Sequence, residues 1–250
     1  MRVPTVLATL VVLAGLVGIA AFALAGGGAP DTDLTERWTS DTVRSSPDNH
    51  HAAAAGFVDG RGMVYAPLSG ETNSNECALV GLNGSDGSEV WTYPVPRANC
   101  TVHAVADPTV ADYDDDGVSE VFVATTERAV LGLDPDGGEV EFRHDLSAYG
   151  YSRPLVTDLT GDGRPEVVVV DVQGAVYVLD ADGSERWVRN LSSYTFGQPA
   201  VADFDGDGAR ELFVATGGSG GLVLFESDGT VAWQRNETFD GAVTWSTAGQ

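Results

Sequence analysis

An acidic pattern returns along this chain at a nearly fixed interval, and that repeat limits the possible folds more than any other feature. The segments DYDDDGVSEVFVAT from Asp112, DLTGDGRPEVVVVD from Asp158 and DFDGDGARELFVAT from Asp203 start 46 and 45 residues apart. Each follows a short stretch opened by proline, at Pro108, Pro154 or Pro199. A second marker alternates with the first: LNGSDGSEVW at Leu82, LDPDGGEVEF at Leu133, LDADGSERW at Leu179 and FESDGTVAW at Phe225. Its Asp-Gly pairs at Asp86, Asp136, Asp182 and Asp228 read as hairpin turns, because glycine supplies the positive φ that tight turns require. The aromatic that follows, Trp91, Phe142, Trp187 or Trp233, takes the same place in each unit, and core packing is the expected role for the three tryptophans.

Four short strands fit within a unit. In the third they are read as Arg153 to Thr157, Glu166 to Asp171, Ala175 to Asp180 and Glu185 to Val188. Runs such as Val167 to Val170 are apolar throughout, as in a strand buried on both faces. Four strands in about 45 residues suit a propeller blade better than a solenoid coil. The expected fold is therefore all-β: a β-propeller over residues 51–250 with four-stranded antiparallel blades at 51–101, 102–148, 149–194 and 195–240. A further blade would start at 241–250, since Gly249 and Gln250 match Gly197 and Gln198, so the ring is expected to be incomplete over this stretch.

Ahead of the repeats the chain changes character. Arg2 precedes an uncharged run from Val3 to Ala25, long enough to span a bilayer, and Ala21, Ala23 and Ala25 offer a cleavage site. Residues 1–28 thus read as a hydrophobic helix serving as a signal peptide or a retained membrane anchor, with both open, and 29–50 as a polar linker. Export agrees with two other features. Asn83, Asn99, Asn190 and Asn236 stand in N-x-[ST] sequons as glycosylation candidates. Cys77 and Cys100, the sole cysteines, could form one disulfide outside the cytoplasm or remain two buried thiols.

Charge narrows the function classes. The chain has 37 acidic and 13 basic residues, every basic one an arginine, for a net charge of −24. Such a surface opposes nucleic-acid binding, which needs clustered cations to displace phosphate counterions. An acidic, lysine-free surface also stays hydrated at high salt, which points to a halophilic source.

The D-x-D-x-D-G-x-x-E-[LV] loop followed by a strand resembles the FG-GAP and VCBS repeats of integrin-α-type propellers, and the [LF]-x-x-D-G-x-x-x-W element resembles the blade motif of PQQ-like propellers. The resemblance covers residues 102 to 239, with a weaker unit before them. FVDGRGMVYA, from Phe57, keeps only Asp59 and Gly60 of the acidic loop, and no metal is expected there.

Calcium takes six to eight oxygen ligands, so alternating carboxylates with one carbonyl suit it. Asp112, Asp114, Asp116 and Glu120 would supply the side chains of the second unit, with the Val118 carbonyl. The third would use Asp158, Thr160, Asp162 and Glu166 with the Arg164 carbonyl, and the fourth Asp203, Asp205, Asp207 and Glu211 with the Ala209 carbonyl. Position twelve is Val123, Val169 or Val214 rather than glutamate, so these are not EF-hands. Thr160 lacks a carboxylate, which makes the third site the weakest.

The functional expectation is a non-catalytic, extracytoplasmic, calcium-binding propeller for adhesion or scaffolding, with a protein or glycan ligand at the cell surface. The alternative is the propeller of a secreted enzyme, either a PQQ-like quinoprotein or a polysaccharide-degrading one. His50, His51, His103 and His144 fall at no ligand spacing, and no nucleophile motif is seen. Trp38 and Trp245 have no assigned role.

Overall fold

The computed structural model describes residues 35–40, 51–217, 221–236, 241 and 246. The hydrophobic run at 3–25, most of the linker, His50, Trp245 and nearly all of 241–250 lie outside the described residues. The chain divides into a unit ending at Arg37 and one from Trp38 to Gln250. Thr35, Glu36 and Arg37, described in the first unit, are exposed and belong to no helix or strand. No helix among the described residues is long and apolar enough to cross a membrane.

The second unit is all-β and holds four antiparallel sheets, each a meander of four consecutive strands. The first sheet contains β1 (Ala54–Val58), β2 (Arg61–Leu68), β3 (Ala78–Asn83) and β4 (Glu89–Pro94). The second contains β5 (Thr109–Ala111), β6 (Glu120–Thr125), β7 (Ala129–Leu133) and β8 (Val140–Asp145). The third contains β9 (Leu155–Thr157), β10 (Glu166–Val170), β11 (Ala175–Leu179) and β12 (Glu185–Asn190), and the fourth β13 (Ala200–Ala202), β14 (Glu211–Ala215), β15 (Leu222–Phe225) and β16 (Val231–Arg235). In each sheet the register slips by one residue just before the third strand meets its turn, at Gly81/Leu82, Gly132/Leu133, Val178/Leu179 and Leu224/Phe225. Such bulges sharpen the local twist, so one device is repeated in every blade.

The middle strands are apolar because neighbouring sheets cover them, those of blades two and three on both faces. Met63, Tyr65, Leu79 and Trp91 of the first blade pack on Val121, Val123, Leu131 and Leu133 of the second. The opposite face of the second blade, with Phe122, Val130 and Phe142, packs on Val167, Val169, Tyr177 and Leu179 of the third. The third blade continues the stack with Val168, Val178 and Trp187 against Leu212, Val214, Val223 and Phe225. Alternate residues of one strand thus serve two interfaces, as the strand's two-residue period requires.

The marker aromatic carries these interfaces to the next blade. Trp91 Nε1 donates to the Pro135 carbonyl at 3.0 Å, and Trp187 Nε1 to the Ser227 carbonyl at 2.9 Å. These carbonyls sit at the same place in the turns of blades two and four. The indoles lie so close to the turn that a Cβ built on Gly138 would stand 2.6 Å from Trp91, and one on Gly229 2.6 Å from Trp187. Glycine is required there by contact as well as by its positive φ. In the second blade that residue is Gly138, one position beyond the Asp136-Gly137 pair expected from the sequence. A disulfide joins Cys77 to Cys100, whose Cα atoms are 5.3 Å apart, and ties the start of β3 to the short 3₁₀ turn at Arg97–Asn99.

Trp233 departs from the expectation of core packing: it is 40% exposed whereas Trp187 is 6% exposed. The reason is geometric: Trp91 and Trp187 each lie on the turn of the next blade, and among the described residues no sheet follows the fourth. Trp187→Ala should therefore lower unfolding free energy by about 3–5 kcal/mol, and Trp233→Ala by about 1 kcal/mol. Urea denaturation of the two variants checks this, and equal losses would contradict the packing described.

Candidate metal centres

The acidic loops join the first and second strands of blades two, three and four, on the rim that also carries the Asp-Gly turns. In each, the first aspartate organises the bend. Asp112 accepts from the N–H groups of Asp115 at 2.8 Å and Gly117 at 2.9 Å. Asp158 does the same with Gly161 and Gly163, and Asp203 with Gly206 and Gly208. The fifth-position aspartate caps the last turn: Asp116 accepts from Val118 N–H, Asp162 from Arg164 N–H and Asp207 from Ala209 N–H. These are Asx turns, and they fix where the remaining carboxylate oxygens point. In the first blade the loop shrinks to two residues, Asp59 and Gly60, both at positive φ between paired Val58 and Arg61.

The ninth-position glutamate opens the second strand and is buried in all three blades. Glu120 Oε2 faces Tyr113 N–H at 3.4 Å, Glu166 Oε2 accepts from Leu159 N–H at 2.8 Å, and Glu211 Oε2 from Phe204 N–H at 2.6 Å. Burial pushes the Glu120 carboxyl up to about 7, with Asp114 and Asp116 adding to the rise against its backbone hydrogen bonds.

The three loops then diverge. In the fourth, Asp203, Asp205, Asp207 and Glu211 each aim one oxygen so that all four lie within 4.8 Å of one another. Glu211 is 1% exposed, and its Oε1 is buried with no hydrogen-bond partner. In the second loop Asp112, Asp114 and Asp116 converge within the same limit. Glu141 on β8 adds another acid nearby; burial raises its carboxyl, and the fields of Asp134, Asp116 and Asp114 raise it further.

The third loop is built differently. Arg186 on β12 places Nη2 3.3 Å from Asp162 Oδ2 and 3.3 Å from Glu166 Oε1, while its Nε donates to Asp180 at 2.7 Å. Thr160 Oγ1 donates to Glu166 Oε1 at 3.0 Å. The Arg164 N–H, with Arg186 behind it, holds the Asp162 carboxyl below the usual carboxylate range. A guanidinium thus stands among acids that the sequence reading gave to a metal. The corresponding residue is Glu141 in the second blade and Ala232 in the fourth, so neither of those blades brings a cation to its loop from this position.

One polar cluster escaped the sequence reading. His51 Nδ1 lies 2.9 Å from Asp107 Oδ1, which also accepts from Ala52 N–H at 2.9 Å. The rings of His51, His103 and Tyr151 meet edge to face, and Phe196 closes on Tyr151. His51, Asp107, Tyr151 and Phe196 line a small cavity together with Arg153 and Gln198. His51 and Asp107 are 56 residues apart with no motif between them; only the equivalence of Asp107, Arg153 and Gln198, each just before the blade's proline, hinted at convergence.

The sequon residues differ in what they do. The Asn99 Nδ2, the atom a glycan would take, donates to the Thr126 carbonyl at 3.1 Å. Asn83 is half-buried and caps Ser85. Asn190 and Asn236 are exposed.

Residues 158–214 match the family model for an FG-GAP-like repeat, a stretch that begins at the third acidic loop and runs through the fourth. The chain carries an FG-GAP-like repeat. No curated protein sequence matches it significantly. Among solved structures it resembles BBS1N in complex with ARL6DN, with 13% identity over 72% of this chain and 50% of that one and a TM-score of 0.50. BamB from Moraxella catarrhalis is 17% identical over 78% of this chain and 49% of that one, with a TM-score of 0.48. The biofilm matrix protein Bap1 of V. cholerae is 19% identical over 83% and 43%, with a TM-score of 0.45. The chain spans about half the length of the structures it matches. At these identities the likeness to BBS1N supports the propeller fold of the FG-GAP-like repeats and nothing further.

The contrast between loops three and four gives opposite expectations without metal. In EDTA, Glu211→Gln should raise the melting temperature by about 2–4 °C per kcal/mol of carboxylate repulsion relieved. Arg186→Ala should lower stability by about 1–3 kcal/mol, less than for a fully buried pair because Arg186 is one-third exposed. Thermal melts in EDTA read both signs, and shifts in the same direction would contradict this description.

Proposed function

We propose that this chain is a non-catalytic, extracytoplasmic propeller module that uses calcium to hold its rim rigid and presents that rim to a protein or glycan at the cell surface. The observation that carries the reading is the fourth loop, where Glu211 has a buried oxygen without a hydrogen-bond partner and one of its carboxylate oxygens lies within 4.8 Å of an oxygen from each of three aspartates. Oxygens bound to one calcium at about 2.3–2.6 Å lie no more than about 5 Å apart, and the four carboxylates satisfy that limit before any ion is considered. All donors are hard oxygens, which fits calcium rather than a softer metal.

Asp203, Asp205, Asp207 and Glu211 would hold one ion, and Asp112, Asp114, Asp116 and Glu120 another. A bound calcium supplies positive charge at each bend, and the protein groups do the rest. The Asx turns preset the aspartate oxygens, and the glutamate links each bend to the central strand of its blade. Asp158, Thr160, Asp162 and Glu166 make the weakest site, because Arg186 already supplies the charge. An extracytoplasmic location is supported by the Cys77–Cys100 disulfide and by the exposed sequons at Asn190 and Asn236. The acidic surface disfavours nucleic acid and leaves the adhesion or scaffold reading ahead of the enzyme reading.

Isothermal titration of EDTA-stripped protein should give two calcium equivalents, and Arg186→Ala should add a third by freeing Asp162 and Glu166. Calcium at a hundredfold excess over its dissociation constant should add about 2.7 kcal/mol per site, which is about 5–10 °C in melting temperature for a domain of this size. Absence of calcium heat together with an unchanged melt would overturn the metal reading.

A further inference from the structure

The first strands of blades two, three and four join two unlike ends of the molecule. At one end they run into the acidic loops, and at the other Asp107, Arg153 and Gln198 each stand just before the blade's proline. Asp107 precedes Asp112 by five residues, as Arg153 precedes Asp158 and Gln198 precedes Asp203, a span of about 15 Å in extended chain. Thr109 Oγ1 donates to the Pro154 carbonyl at 2.6 Å, which holds the starts of β5 and β9 side by side. A repeat position that only supports the fold keeps one residue type, as the ninth-position glutamate does. This one carries an acid, a base and an amide, and all three line one cavity.

That cavity is polar within and aromatic at its approach. Against the effect of burial, the hydrogen bonds from His51 and Ala52 N–H hold the Asp107 carboxyl below its usual range, with the field of Arg153 adding to them. The Nε of Arg153 is buried and has no hydrogen-bond partner among the described residues. Phe196, which lines the cavity beside Tyr151, continues outward to Tyr194, whose ring is parallel to it within 3° at a centroid distance of 6.4 Å. Tyr194 is 67% and Phe196 38% exposed, although their backbone is anchored. Thr195 between them is buried, its N–H donates to the Val172 carbonyl, and the Tyr194 carbonyl accepts from Gly217 N–H. Rings held outward on a fixed backbone make a preset platform that a ligand covers at little cost in entropy.

Size and charge select the ligand. At about 60 Å³ the cavity is well below the ~150 Å³ that encloses a benzene ring, so it admits the polar edge of a molecule and not a planar cofactor. Asp107 and Arg153 offset each other, and the chain's net charge of −24 disfavours an anion. A stable protein interface takes about 800 Å² per side, whereas the exposed apolar surface here is two rings. A sugar meets every one of these conditions, because its hydroxyls donate to a carboxylate and accept from a guanidinium while its C–H face lies flat on an aromatic ring. We propose that this end of the first strands binds a neutral pyranose unit of a glycan, with a hydroxyl edge between Asp107 and Arg153 and the ring on Phe196 and Tyr194. The site lies away from the acidic loops and does not rest on calcium in them.

An array of neutral glycans probed with the labelled full chain in EDTA tests this, followed by titration calorimetry with the oligosaccharide that binds best. The chain should bind a subset of the array. Tyr194→Ala and Arg153→Gln should each weaken binding about tenfold, and Tyr194→Phe should keep it. Phe57→Ala removes a 79% exposed ring beside the Asp59-Gly60 turn on the opposite rim and should change nothing. Thermal melts check that the variants fold, and Tyr194→Ala decides alone should Arg153→Gln unfold. Binding to no neutral glycan overturns the proposal, and so does binding that Phe57→Ala weakens as much as Tyr194→Ala. Binding that needs calcium and survives Tyr194→Ala overturns it too and assigns the glycan to the acidic loops. Sugar binding by a chain that takes up no calcium supports this site and sinks only the ion reading.

Discussion

Burial of blades two and three on both faces by their neighbours is the constraint from which the rest of this structure follows. A lone four-stranded sheet of these sequences would leave two apolar faces in water, and a neighbouring sheet on each side covers them. Val167 and Val169 serve one neighbour, Val168 and Val170 the other. The aromatic of the fourth strand reaches across to the next turn and excludes any side chain at its glycine. Twist, spacing and order of the sheets are thereby fixed by contacts that recur about every 45 residues.

That stack creates an electrostatic problem at one rim. Short connections between the first and second strands gather two to four aspartates each, and the glutamate opening each second strand is drawn into the core. The molecule answers it in two ways. Blade three brings Arg186 to its own acids, a covalently attached cation that needs no ligand from solution. Blades two and four bring Glu141 and Ala232 to the same place, and their carboxylates stay converged. The uneven solution argues for specific ion sites on the rim rather than a general excess of acid.

Much of this was legible in the sequence because it depends on local chemistry. Proline before each first strand, apolar second and third strands, and acidic loops at a constant interval pointed to four-stranded antiparallel sheets, and in blade three to strands within a few residues of those found. β12 extends two residues past the expected end at Val188, as a ladder partner at Ala175 allows. What was hidden depends on distant partners. Arg186 lies 24 residues from Asp162, and nothing in its own segment marks it as a substitute for a metal. His51 and Asp107 meet through the arrangement of different blades. Trp233 matched its counterparts in pattern, yet no turn among the described residues covers it, and nothing near Trp38 in the sequence showed that its indole donates to the Gly84 carbonyl.

The claim at the centre is that the second and fourth bends are shaped for a divalent ion while the third is not. Long-wavelength anomalous diffraction from crystals grown in calcium measures this directly. The account predicts a peak among Asp203, Asp205, Asp207 and Glu211, another among Asp112, Asp114 and Asp116, and none beside Arg186. Featureless maps at both of those bends, or a third peak of equal height at Asp158, would contradict it.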